Sequence, residues 1–245
     1  LGNPGAEHAN TRHNAGFRLV DALAEQAEAR FGLESKLFGE TARVDIGGHS
    51  VWLLKPATWM NLSGKSVAAA LRYWKIEPEQ ALLAHDELDL PPGAARLKFD
   101  GGHGGQNGLR DTLQQLGHGR FHRLRIGIGH PGHKDRVTGW VLGRAGKDDQ
   151  ILIDRAIDQA IEVLPLAVAG EFNEALMELG ALVCTPAAPD CPRCPVRDFC
   201  LAWARGTVAL RPGKATKPRT PYYDVVAAVI DNDRHDVLIV RRPQA

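Results

Sequence analysis

Apolar positions recur at helical spacing between Phe17 and Phe31, where Phe17, Val20, Leu23, Ala24 and Ala27 fall on one side. That pattern predicts an amphipathic helix. The next segment, "ARVDIGGHSVWLLKP" (42–56), has the form of two strands around Gly47-Gly48 and reads as a hairpin. Ser63 to Trp74 is rich in Ala and Leu behind a possible Ser cap, which predicts a second helix. "ALLAHDEL" (81–88) is a short apolar strand that ends in charge, and "GAARLKF" (93–99) is another strand. A glycine-rich loop, Gly101 to Gly108, leads into the helix "LRDTLQQLG". "FHRLRIGIG" (121–129) alternates as a strand, and Lys147 to Ala169 is roughly periodic as a long helix. Strands alternating with helices predict an α/β fold: a three-layer sandwich with a mixed central sheet and flanking helices.

The pattern changes after Gly170. "GEFNEALMELGALVC" reads as a helix running into a segment that holds all four cysteines of the chain. "GTVALRPGKATKPRTP" (206–221) has no periodicity and reads as a linker. Residues 222–245 begin "YYDVVAAVIDNDRHDVLIVRR", a hairpin with a polar turn. The expected organisation is therefore a main domain over 1–170, a helix and cysteine loop over 171–205, a linker over 206–221 and a hairpin over 222–245. The chain opens on Leu1 in a glycine turn and stops at "RRPQA". Those ends predict a fragment whose first strand lies before Leu1.

Composition narrows this only a little. The 245 residues are 44% hydrophobic and 24% charged, with a net charge of +1, as in an ordinary globular protein. No apolar run approaches the roughly 20 residues of a membrane span, and no signal peptide is visible, so a cytoplasmic protein is expected. Two basic stretches, 120–136 and 211–219, are suited to phosphate contact or to simple solvation.

Candidate chemistry gathers beside turns. "NPG" (3–5), "TRHNAG" (11–16), "TWMNLSG" (58–64) and "GGHGGQNGLRD" (101–111) place small polar groups there, and "HDELDLPPG" (85–93) adds His and Asp at a strand end. Strand ends are where open α/β sheets bind ligands. "SGKS" (63–66) imitates the end of a phosphate loop, but the required upstream glycine is Trp59. There is no G-x-S-x-G elbow, no H-E-x-x-H pair, and no cysteine before Cys184. What is left is water attack assisted by His, with amides polarising a carbonyl.

"LGNPG…TRHNAG", "KPATWMNLSGKSV", "HDELDLPPG" and "GGHGGQNGLRD", in this order, resemble the bacterial-type peptidyl-tRNA hydrolase family over about Leu1 to Gly170. The resemblance implies cleavage of the ester between a peptide and the tRNA 3′ end by a monomer that needs no cofactor. It makes His13 the base, Asp86 its orienting carboxylate, and Asn61 and Asn107 the substrate-binding amides. It places Asn3 where blocked and free amino groups are told apart, its carboxamide accepting from the peptide N–H. Lys98, Arg125 and Lys134 fall where the family sets cations for tRNA phosphates. Taken alone, each Asn reads as a turn residue and each cation as solvated surface. Three positions depart from the family pattern near the substrate: His8 for Tyr, Trp59 for Phe and Gln106 for His.

Cys184, Cys191, Cys194 and Cys200 form a C-x6-C-x2-C-x5-C array among prolines. One C-x-x-C knuckle is fewer than zinc sites commonly use, and four close thiolates suit an iron–sulfur cubane. The surrounding segment resembles the cluster loop of adenine DNA glycosylases, and the tail resembles the start of their Nudix-like domain. That likeness implies a [4Fe-4S] cluster, with zinc as the alternative, and a possible DNA contact. No helix-hairpin-helix with its catalytic Asp precedes the loop, so the glycosylase chemistry itself is not expected.

Overall fold

The structure is a computed structural model that describes residues 1–171 and 201–208, within the unit Leu1–Ala209. The cysteine array, most of the linker and the tail hairpin lie outside the described residues.

Six strands form two sheets among the described residues. β1 (Gly32–Glu34), β2 (Gly39–Ile46) and β3 (His49–Pro56) are antiparallel neighbours in that order. β4 (Leu82–Glu87), β5 (Ala95–Phe99) and β6 (His122–Gly127) form a mixed sheet in the order β4-β6-β5. β4 runs parallel to β6, and β5 runs antiparallel to it. The expected α/β class and mixed sheet are present, but the hairpin belongs to a separate sheet. Its third member, β1, is three exposed residues with no alternation to betray it.

Helices cover β4 on both sides. α1 (Ala15–Gln26) and α5 (Lys147–Val168) contribute Leu19, Leu23, Ile153 and Ile157 to a cluster that also takes Ala84, Leu124 and Ile126 from the sheet. α2 (Ser63–Trp74) and α3 (Asn107–Leu116) contribute Val67, Leu71 and Leu109 to a second cluster with Leu83 and Phe121. Successive residues of a strand face opposite ways, so Leu83 and Ala84 send β4 into the two clusters. A short helix, α4 (Val137–Leu142), and another at Leu201–Ala204 are the remaining α-helices among the described residues.

Two glycines set the close approaches that matter for the site. A Cβ on Gly16 would lie 2.2 Å from the Ala84 carbonyl oxygen and 2.4 Å from the Leu1 nitrogen. Only glycine lets the start of α1 settle on the backbone of β4. A Cβ on Gly64 would lie 2.5 Å from the backbone of Asp111 and Thr112, so α2 and α3 touch main chain to main chain.

Candidate active site

The 3-10 turn Arg12–Asn14 sits immediately before α1, and the Gly16 contact seats it over the end of β4. Arg12 fastens it from outside: its backbone N–H donates to Gly143 at 3.1 Å and its Nη1 to the Arg144 carbonyl at 2.8 Å. Asn14 fastens it from inside. Its Oδ1 accepts from the Asn3 N–H at 2.8 Å, and its Nδ2 donates to the Asn3 carbonyl at 2.9 Å. The "NPG" and "HNAG" segments are thereby locked together.

His13, between these two anchors, is buried, and its Nδ1 lies 2.8 Å from Asp86 Oδ2. Burial works against ionisation of Asp86, but the charge and hydrogen bond of His13, with a further bond from Gln106, hold its carboxyl below the ordinary carboxylate value. An ionised Asp86 accepts from Nδ1–H and leaves Nε2 as the basic nitrogen of the ring. No described residue hydrogen-bonds that nitrogen.

Asp86 is held from a second side. Gln106 Nε2 donates to its Oδ1 at 3.1 Å and also reaches Met60 Sδ at 3.2 Å. Gln106 Oε1 accepts from Leu109 N–H at 2.8 Å, capping α3. Met60, buried in the 3-10 turn Met60–Leu62, donates its own N–H to Asn3 Oδ1 at 2.8 Å. One chain of contacts thus runs Asn3–Met60–Gln106–Asp86–His13. Asn61 follows Met60 and Asn107 follows Gln106, and both are exposed. His8 meets Trp59 edge-on, with ring centroids 5.6 Å apart, and Trp59 is 55% exposed. Trp59 immediately precedes the Met60–Leu62 turn.

A buried imidazole with an oriented carboxylate, itself bonded by the Gln106 carboxamide, is an arrangement that can serve as a general base without a nucleophilic side chain. The sequence model of the family described as "Peptidyl-tRNA hydrolase" matches residues 1–183.

This chain belongs to the peptidyl-tRNA hydrolase family.

Family relatives agree closely. The peptidyl-tRNA hydrolase of Xanthomonas campestris pv. campestris (strain 8004) is 76% identical over 179 residues, 73% of this chain and 93% of its own length. That of Stenotrophomonas maltophilia (strain R551-3) is also 76% identical, with the same coverage. The crystal structure of peptidyl-tRNA hydrolase from Acinetobacter baumannii superposes with a TM-score of 0.72 at 50% identity, covering 74% of this chain and 92% of that one. The family match runs through 171–183, which the glycosylase resemblance takes with the cysteine loop, and stops one residue before Cys184.

Two of the expected site residues also have partners within the chain. The Asn3 oxygen accepts from the Met60 N–H, which fixes the orientation of the amide and leaves that oxygen one further lone pair. Arg125 is paired with Glu87 at 2.8 Å, while Lys98 and Lys134 are exposed. Met60, an apolar residue with no sequence signal of chemistry, contacts both Asn3 and Gln106, and Asn14 bonds the Asn3 backbone twice. Among the described residues no helix is long and apolar enough to cross a membrane, and no three His, Cys, Asp or Glu gather as metal ligands. All four cysteines fall outside those residues.

Proposed function

We propose that this chain hydrolyses the ester of peptidyl-tRNA, with His13 as general base. The observation that carries this is the buried 2.8 Å pair of His13 Nδ1 and Asp86 Oδ2, which leaves Nε2 unbonded. A water oxygen attacks the ester carbonyl while Nε2 takes its proton. Asp86 supports the imidazolium that results and does not itself take the proton. The carboxamides of Asn61 and Asn107, outside the buried network, donate to the oxyanion. The intermediate collapses by breaking the bond to the ribose oxygen, which recovers a proton from the imidazolium. Free tRNA and a peptide carboxylate leave.

The Asn3 NH₂ supplies selection. It donates to a carbonyl oxygen, which a blocked peptide presents next to its amide nitrogen. A free α-ammonium presents only donors and meets this NH₂ unpaired. Lys98 and Lys134 contact tRNA phosphates, and Arg125 contributes less because Glu87 already neutralises it. The test is release of peptide from diacetyl-lysyl-tRNA. The wild-type chain turns it over, and His13→Ala falls at least a hundredfold. Unchanged activity in His13→Ala overturns the mechanism.

A second reading attaches to the cysteine array alone, carried by its C-x6-C-x2-C-x5-C spacing just beyond the family match. Cys184, Cys191, Cys194 and Cys200 are a thiolate set for a [4Fe-4S] cluster in a segment with its own origin and a possible DNA contact. Brown protein with iron in proportion supports it. Colourless protein holding zinc overturns the cluster.

A further inference from the structure

We propose that Gln106 is a positioning residue that registers the His13–Asp86 pair against Asn107. This rests on the reading of His13 as base and goes a step further. The argument starts from an oddity of the cap. Helix N-caps favour Ser, Thr, Asp and Asn, whose short side chains reach back to the third backbone N–H. Gln106 performs that task with a longer side chain, accepting from Leu109 N–H at 2.8 Å. The extra length is used: Nε2 donates to Asp86 Oδ1 at 3.1 Å and lies 3.2 Å from Met60 Sδ. A shorter amide caps α3 without spanning to Asp86.

The orientation of this amide is fixed by its partners. Turning it over sets NH₂ against the Leu109 N–H and oxygen against the Asp86 carboxylate, two repulsive contacts at once. The two oxygens of Asp86 therefore meet donors from different elements: His13 from the turn before α1 and Gln106 from the start of α3. The carboxylate plane is set by both. The same side chain fixes where α3 begins, and Asn107 is its first residue. Base and oxyanion donor are thus held in register through one neutral amide. The titratable groups acting on Asp86 are His13 and its strand neighbour His85. Gln106 adds a donor to this set without adding a proton that titrates.

The experiment uses the full chain, steady-state cleavage of diacetyl-lysyl-tRNA, and pH profiles of kcat/KM for Gln106→Asn and Gln106→Glu. Gln106→Asn keeps the cap and loses the reach. The expected result is a fall in kcat of about tenfold, with KM within about twofold and an unchanged melting temperature. Gln106→Glu sets a second carboxylate on Asp86, so the pair shares a proton near neutrality. Its acidic limb moves to higher pH, whereas that of Gln106→Asn does not move. In an Asp86→Asn background, Gln106→Asn produces no further loss. Full kcat with an unshifted profile in both single variants overturns the proposal. So does an equal loss from Gln106→Asn with and without Asp86, which shows that it does not act through the carboxylate. Gln106→Asn stays informative if Gln106→Glu fails to fold. His13→Ala, measured alongside, separates failure of this proposal from failure of the base assignment.

Discussion

Asp86→Asn is the sharpest probe of the site, because the structure dictates how the new amide must sit. Asp86 Oδ1 faces the Nε2 donor of Gln106 at 3.1 Å, and that donor cannot turn away while Oε1 caps Leu109. The oxygen of an asparagine here therefore points to Gln106, and its NH₂ points to His13 Nδ1, at the present 2.8 Å position. A donor facing Nδ1 makes that nitrogen the acceptor and moves the ring proton to Nε2. The nitrogen meant to receive the proton from water is then already protonated. The substitution also removes the negative charge that supports the imidazolium. By analogy with the Asp-to-Asn change in a serine-protease triad, which acts through the same tautomer error, kcat should fall on the order of ten-thousandfold. That corresponds to about 5 kcal/mol in the barrier. The assay is single-turnover release of blocked lysine from diacetyl-lysyl-tRNA, with substrate affinity measured separately. Substrate affinity stays near wild type, since shape and hydrogen-bond count are kept. A rate within about tenfold of wild type refutes the claim that Asp86 sets the tautomer of His13.

Gly16→Ala forces a methyl to within 2.2 Å of the Ala84 carbonyl oxygen; chemical denaturation should show a loss of about 3 kcal/mol, and wild-type stability would disprove the close packing of α1 on β4. His85 is buried, with Nδ1 bonded to the Asp86 carbonyl, Nε2 without a partner, and burial lowering its pKa from the ordinary 6.5. The unfolded chain takes up this proton first, so His85 contributes stability above pH 6.5 that is lost as pH falls below that value. The slope of stability against pH just below 6.5 should flatten in His85→Asn, and an unchanged slope rejects the assignment. Asp86, held below the usual carboxylate range, acts with the same sign in a separate, more acidic window. Lys98→Ala and Lys134→Ala should each reduce the salt slope of tRNA binding by about one ion, and Arg125→Ala by less, because Glu87 holds that cation. Equal slopes for all three refute the ranking.

Much of the fold was legible because its signals are local. α2 spans Ser63–Trp74, the bounds its composition predicts, and α5 stops one residue short of the predicted Ala169. α1 ends at Gln26, not near Phe31, where Glu28 takes a left-handed φ of 51° and breaks the helix before its apolar pattern ends. The site was legible as a set of motifs, and His13, Asp86 and the segments around Asn3, Asn61 and Asn107 do meet in one network. What the motifs did not carry was the direction of each bond. The Asn3 oxygen accepts from a backbone N–H 57 residues away, and no local pattern encodes that. The pairing of Arg125 with Glu87 depends on the parallel register of β4 and β6, which sets His85 beside Arg125 and brings Glu87 within reach.

Met60 shows why this distinction matters for mechanism. It is apolar and buried, and by composition it belongs to the core. Yet its N–H fixes the Asn3 oxygen, and its sulfur touches the same Gln106 nitrogen that steadies Asp86. A thioether accepts weakly and does not titrate, so it fills the space between two amides without competing for the catalytic proton. The polar groups are therefore sorted into two kinds. Those facing inward bond one another: the Asn3 oxygen with the Met60 N–H, both oxygens of Asp86, both ends of the Gln106 amide, and Nδ1 of His13. On the proposed mechanism, those that meet substrate are the His13 Nε2, the Asn3 NH₂ and the exposed amides of Asn61 and Asn107. Preorganised dipoles serve catalysis when they need no rearrangement as charge develops. In this site the inward bonds fix Asn3 and the His13–Asp86 pair, which ties the neutral linkers Met60 and Gln106 to the geometry of the proposed base.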